Sequence, residues 1–195
     1  GEAMLCQAHG GTHLYSWAMT GNEHERGNGG SAYIGGWNVW MYGCLIAWNK
    51  TAGWVGGVMF SEPPSDLAFV ANQAGAGVKA PDGALTKDPG GKLSAPSDVQ
   101  AAAYQGDAVK ITWKDTSKAE IGFRVDRRIG DGQWTTIAYR PPQIEGSKYN
   151  PPSWIDFLAP TGKPLAYRVA AINSKDDDSA VAEAKKMVTL EVPKK

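Results

Sequence analysis

The chain has 195 residues, 42% of them hydrophobic, and its twenty basic and twenty acidic side chains leave a formal net charge of zero. That hydrophobic share excludes a disordered polymer, and the balanced charge gives no surface of the kind that nucleic-acid recognition needs. No apolar run reaches the roughly 20 residues of a membrane span, and no basic start followed by an apolar stretch marks an export signal. The two cysteines, Cys6 and Cys44, and the three histidines, His9, His13 and His24, match no zinc or redox spacing, so the residues imply neither a metal nor a cofactor. Cys6 and Cys44 fit either a disulfide or two small buried hydrophobes.

At the start of the chain, EAMLCQAH is made of good helix formers and is followed by Gly10-Gly11, the usual C-terminal stop of a helix. THLYSWAMT then predicts a strand. Past the loop GNEHERGNGGSAYIGG, residues Trp37, Trp40, Met41, Cys44, Leu45 and Trp48 recur at i, i+3, i+4 spacing, which predicts a helix despite Gly43 in its interior. WVGGVMF predicts a second strand and DLAFVANQ a short helix. Helix, strand, helix, strand, helix is the order of a parallel α/β architecture, such as a piece of an incomplete barrel.

The same residues carry a competing pattern. An offset of 27 places Tyr15 on Tyr42, Met19 on Ile46, Asn22 on Asn49, Gly29-Gly30 on Gly56-Gly57 and Tyr33 on Phe60. MTGN and IAWN, followed by GGSAY and GGVMF, resemble the repeats of right-handed parallel β-helices, in which small residues turn the coil and asparagines stack. Consecutive βα units also fit this period, so the offset leaves both architectures open. Both begin in the middle of a repeat. The expectation is therefore that residue 1 is a truncation point, or that an upstream segment or a second chain completes the N-terminal unit.

If the two predicted strands are parallel, their C-terminal ends run into Glu23, His24 and Glu25, and into Glu62. Two carboxylates on neighbouring strand ends are what glycoside hydrolysis uses, one as acid and one as nucleophile or base. AMLCQAHGGTHLYSWAM with GGVMFSEP is similar to the late strands of barrel-type glycoside hydrolases. That resemblance implies Glu62 as the acid and Glu23 or Glu25 as its partner. The bland alternative is a solvated polar loop and an ordinary turn glutamate. Trp17 and Trp37, with His24, are candidates to line a sugar cleft, because aromatic faces stack on sugar rings. The glycines of GNGGSAYIGG form no phosphate loop.

Residues 1–73 thus read as the N-terminal α/β or β-helix unit. Residues 74–94, rich in Gly, Pro and Ala, read as a linker. Residues 95–195 show short segments of β-branched and aromatic residues at intervals of about ten, the mark of a sandwich. Strands are predicted at 98–103, 108–113, 122–129, 133–140, 165–173 and 186–192. Alternation sends Val109, Ile111 and Trp113 to one face, and Leu165, Tyr167, Val169 and Ala171 to another. The entry SAPSDVQ, the strand ending in Trp113, and WIDFLAPTGKPLAYRVAAIN together resemble the bacterial fibronectin type III pattern over residues 95–192. That resemblance implies a spacer or binding scaffold. The expectation from the whole chain is part of a secreted, modular carbohydrate-active protein, either the C-terminal portion of a glycoside hydrolase or a non-catalytic adhesion protein built on a β-helix. Its partner would be a polysaccharide or other glycan, and its location extracellular or at the cell surface.

Overall fold

The computed structural model describes all residues except 1–3, 8–11, 16–17, 22, 25–31, 36–38, 52–55, 60–64, 74–79, 81–82, 143–151, 178–179 and 192–195. Nine short strands come first: β1 (Met4–Gln7), β2 (Thr12–Tyr15), β3 (Ala18–Thr20), β4 (Glu23–His24), β5 (Ala32–Gly35), β6 (Val39–Ala47), β7 (Lys50–Thr51), β8 (Gly56–Met59) and β9 (Ser65–Val70). Every pairing among them is parallel. One sheet orders β1-β5-β8, a second places β2 and β3 on one edge of β6 with β9 on the other, and β4 pairs with β7. Successive turns of the chain therefore stack strand on strand as a parallel β coil.

This corrects the α/β reading. EAMLCQAH contributes the strand Met4–Gln7, the apolar stripe at 37–48 is the strand Val39–Ala47, and DLAFVANQ contributes Ser65–Val70; no α-helix occurs among the described residues. Two physical reasons stand out. Gly43 has φ +57°, which no right-handed helix accommodates. Cys44, Leu45, Ile46 and Ala47 are all buried, at 2% exposure or less, so the segment is covered on both faces and reads as a continuous apolar run, within which helical spacing arises by chance. The Gly10-Gly11 stop lies outside the described residues.

The 27-residue offset holds where β2, β3 and β4 meet the second turn, with Tyr15 on Tyr42 and Met19 on Ile46, while β1 meets β5 at a step of 28. The next turn is shorter. Leu45 pairs with Ala68 and Tyr33 with Gly56, a step of 23; Phe60, which the offset places on Tyr33, lies outside the described residues. Each turn bends at the same corner: Gly21, Trp48 and Ala71 have φ of 64°, 56° and 55° and fall at these two steps. After the corner, Asn49 and Asn72 form a ladder. The Asn72 Oδ1 accepts from the Asn49 backbone N–H (3.1 Å) and Nδ2 (2.9 Å), and Asn72 Nδ2 donates to the Ile46 carbonyl at 2.9 Å. Leu85 extends the stack, bonded to the backbone of Leu67 and Phe69 at 2.8 Å.

The remaining strands are β10 (Ser97–Tyr104), β11 (Ala108–Lys114), β12 (Gly122–Ile129), β13 (Thr135–Arg140), β14 (Ser153–Asp156), β15 (Pro164–Ile172), β16 (Val181–Glu183) and β17 (Val188–Thr189). Antiparallel pairing gives one sheet of order β10-β11-β14 and another of order β13-β12-β15-β16, with β17 also on β15. The two sheets close over a core of Val109, Ile111, Trp113, Phe123, Val125, Leu165, Tyr167 and Val169, an immunoglobulin-like β-sandwich. Both predicted inward faces, 109/111/113 and 165/167/169/171, meet in this core. Trp113 packs on Phe123 with ring centroids 5.5 Å apart.

The outer face of the larger sheet is covered as well. Ile121, Ala170 and Ile172 pack with Leu45, Ala47, Ala68 and Val70 of the coil in one buried cluster. Gly122 sits at this seam, and a Cβ there would collide with the Arg140 carbonyl and press on Leu45. Gly122→Ala should therefore lower stability by at least about 1–3 kcal/mol, the usual cost of overpacking; chemical denaturation measures it. At the exposed Ala71 corner, Ala71→Gly should raise stability by about 0.5–1 kcal/mol, because removing Cβ relieves more left-handed strain than the added chain entropy costs.

Candidate functional site

Of the residues singled out from the sequence, Glu23 and His24 form β4, opposite Lys50 and Thr51 in parallel register. Glu25, Glu62, Trp17 and Trp37 lie outside the described residues. Among the described residues the strands belong to stacked coil turns rather than to βα units, so the barrel geometry assumed for the carboxylates does not apply. Cys44 is a buried thiol, not half of a disulfide.

The structure draws attention instead to the junction between coil and sandwich. The left-handed corner of Trp48 directs its ring outward. Its Nε1 donates to the Ser174 carbonyl at 2.7 Å, and its ring packs on Tyr139 with centroids 5.3 Å apart. Beneath lies a polar network on β12, β13 and β15. Asp126, 1% exposed, accepts from Arg124 Nε (3.1 Å), Arg168 Nε (2.8 Å) and Thr136 Oγ1 (2.9 Å). Asp176 accepts from Arg124 Nη1 at 2.9 Å and from the Tyr139 hydroxyl at 2.8 Å. Burial alone would push the Arg124 guanidinium down, but Asp126 and Asp176 outweigh it and hold the group above its ordinary value. Burial, reinforced by Asp176, likewise pushes the Tyr139 hydroxyl up. Further down the face, the guanidiniums of Arg128 and Arg168 lie 4.7 and 4.8 Å from the Trp134 ring.

At the opposite corner of the sandwich, Asp156 accepts from the Tyr167 hydroxyl (2.9 Å), Arg127 Nη1 (2.8 Å) and the Leu158 N–H (3.1 Å). Burial first, then the Asp156 charge, raises the Tyr167 hydroxyl above its ordinary range. These groups are saturated with partners and hold the fold.

The open feature is a slot where the coil meets the sandwich edge. A cavity of about 400 Å³ lies between Thr20 of β3, the Thr136–Arg140 side of β13 and Trp154 of β14. A second, also about 400 Å³, shares Ile137 and Trp154 and continues to Phe157 and Leu158, which are 67% and 85% exposed. Arg140 lies over the Trp154 ring, 5.5 Å from its centroid. The lining thus combines hydroxyls and an Arg140–Trp154 stack with aliphatic apolar surface. That combination suits binding an amphipathic ligand. Among the described residues, the lining of these two cavities includes no histidine, and its one carboxylate, Asp156, is committed to Arg127 and Tyr167. The sequence pattern did not point to Tyr139, Arg140 or Trp154, because their meeting depends on how β13 and β14 end beside the coil.

No family model and no curated protein matches the chain. Solved structures similar to part of it include the twitchin kinase region from C. elegans, at 15% identity, covering 52% of this chain and 17% of that one, with TM-score 0.41. Others are titin kinase and its flanking domains (14% identity, 51% and 18% coverage, TM-score 0.40) and a β-1,2-glucanase from Parabacteroides distasonis (22%, 54% and 14%, 0.39). The matched region spans less than a fifth of each of these three chains.

The Asp156 cluster makes its own demand on the fold. Tyr167→Phe should cost about 1–2 kcal/mol in urea unfolding, because it removes one donor from a buried carboxylate that keeps its other partners. A change below about 0.3 kcal/mol would show that Asp156 is satisfied without it.

Proposed function

We propose that this chain is a non-catalytic, glycan-binding junction of a modular extracellular or cell-surface protein. In this reading a parallel β coil carries a laterally docked module of the fibronectin type III kind. The supporting observation is the mixed lining of the slot, in which the hydroxyls of Thr20 and Thr136 occur with Ile137 and with Trp154, over whose ring the Arg140 guanidinium lies. A sugar ring carries both kinds of surface, with hydroxyls on its rim and C–H groups on its faces, so it matches such a mixed lining. The buried seam beside the slot supports the reading further, since a ligand bridging two bodies needs them held in fixed relation.

Binding rather than cleavage is what the described groups support. The hydrolase reading, with Glu62 as acid and Glu23 or Glu25 as partner, drew its geometry from barrel strand ends that this fold does not provide.

The test is calorimetry or affinity electrophoresis of the full chain against a panel of soluble plant, algal and bacterial polysaccharides. At least one should bind, and Arg140→Gln or Trp154→Phe should weaken that binding about tenfold or more while the melting transition stays cooperative. Failure of the whole panel to bind, or equal binding by both folded variants, would remove the slot from any glycan-binding role.

A further inference from the structure

The two cavities of the slot differ in chemistry. Thr20, Thr136 and Arg140 line the first. The second shares Ile137 and Trp154 with it and adds Ile155, Phe157 and Leu158, with Arg127 and Asp156. Among the described residues no side-chain hydroxyl of threonine, serine or tyrosine lines this second cavity. Its charged pair is joined internally, Arg127 Nη1 donating to Asp156 Oδ2 at 2.8 Å, and Asp156 is buried. A ligand hydroxyl placed there gives up water for few partners, whereas a methyl group gains by leaving water.

Phe157 and Leu158, in the turn that follows β14, are the exposed part of this lining. Two adjacent large apolar side chains left in water beside a cavity mark a contact surface. Their backbone is nonetheless fixed. The Leu158 N–H donates to Asp156 Oδ1 at 3.1 Å, and the Leu158 carbonyl accepts from Arg127 Nη1 at 2.9 Å. Asp156 is held in turn by the Tyr167 hydroxyl at 2.9 Å. A polar cluster at the sandwich corner therefore presents this apolar lip, and its order is established before any ligand arrives.

We infer that the second cavity is a subsite for a methyl-bearing sugar, a 6-deoxyhexose or an acetylated residue, next to the sugar held by the first cavity. This rests on the glycan-binding reading of the slot and narrows its substrate class. Continuity decides the occupant: Ile137 and Trp154 line both cavities, so a glycan seated on Trp154 in one meets the apolar lip in the other. Each cavity, at about 400 Å³, is at the small end of ligand pockets, so the two together suit neighbouring sugars of one chain. An unmodified hexose brings a hydroxyl to Phe157 and Leu158 where the methyl-bearing sugar brings apolar surface. Apolar pockets discriminate against such an added hydroxyl on the order of tenfold to a hundredfold.

Calorimetry of the full chain against matched glycan pairs tests the subsite. One set pairs 6-deoxyhexose oligosaccharides with hexose counterparts of the same linkage; the other pairs acetylated polysaccharides with their alkali-deacetylated forms. In at least one set the methyl-bearing member should bind about tenfold tighter or more, and the set that shows it identifies where the methyl comes from. The double variant Phe157→Ser, Leu158→Ser, altered at exposed positions, should fold and reduce that ratio to about twofold or less. Equal binding within every pair would overturn the subsite while leaving glycan binding in place, and so would an unchanged ratio in the double variant. Binding of no member of either set would remove the glycan reading and the subsite together. Self-association of the parent in sedimentation that the double variant loses, with the ratio unchanged, would reassign the lip to contact between copies.

Discussion

The sheet formed by β12 and β15 is buried on both faces, and most of the architecture follows from that constraint. On one side Phe123, Val125, Tyr167 and Val169 meet the smaller sheet; on the other Ile121, Ala170 and Ile172 meet the coil. Such a sheet loses the alternation of a half-exposed one and becomes a near-continuous apolar run, as in Val169–Ile172, where every residue is buried. Polar groups on it must find partners within the protein, because water does not reach them. Asp126, with donors from Arg124, Arg168 and Thr136, is the direct consequence. Removing one partner of such a set is costly because the charge left behind stays buried.

The slot follows from the same packing. Strand β13 is the outermost of its sheet, β14 the outermost of the other, and between them the sandwich is open. The coil contributes β3 alongside, so the opening acquires a third side with Thr20 in it. The residues that meet there come from elements more than a hundred positions apart in sequence. Their chemistry is legible one residue at a time; their convergence is not.

Legibility was uneven for physical reasons. In the sandwich, one inward face met one core, so alternation at 109/111/113 and 165/167/169/171 pointed to the right partners. The short strands Ser153–Asp156 and Val181–Glu183 lacked enough residues to show a period. In the coil, burial from both sides erased alternation in Cys44–Ala47, and helical spacing appeared in its place. The catalytic reading of Glu62, Glu23 and Glu25 took its geometry from the βα units that the misread helix implied. The 27-residue offset carried the true register, yet it leaves strand and βα repeats indistinguishable. What separates them is the corner: Gly21-Asn22, Trp48-Asn49 and Ala71-Asn72 form a third recurrence only when the step is allowed to shorten to 23.

That corner also explains why a tryptophan occupies a backbone conformation that favours glycine. In the first turn Gly21 takes it without strain, and in the third Ala71 takes it with a modest penalty. At the middle turn the left-handed corner throws the side chain away from the coil, toward the sandwich. Only a long side chain with a donor at its tip can reach both the Tyr139 ring and the Ser174 carbonyl from there. Ser174 is in turn fixed by Asp88, which accepts from its N–H at 2.7 Å and its hydroxyl at 2.6 Å. The segment that joins coil to sandwich and the corner of the middle turn thus converge on one short stretch after β15. Strain at Trp48 is offset by these contacts, so the corner that spaces the repeat also anchors the sandwich to it.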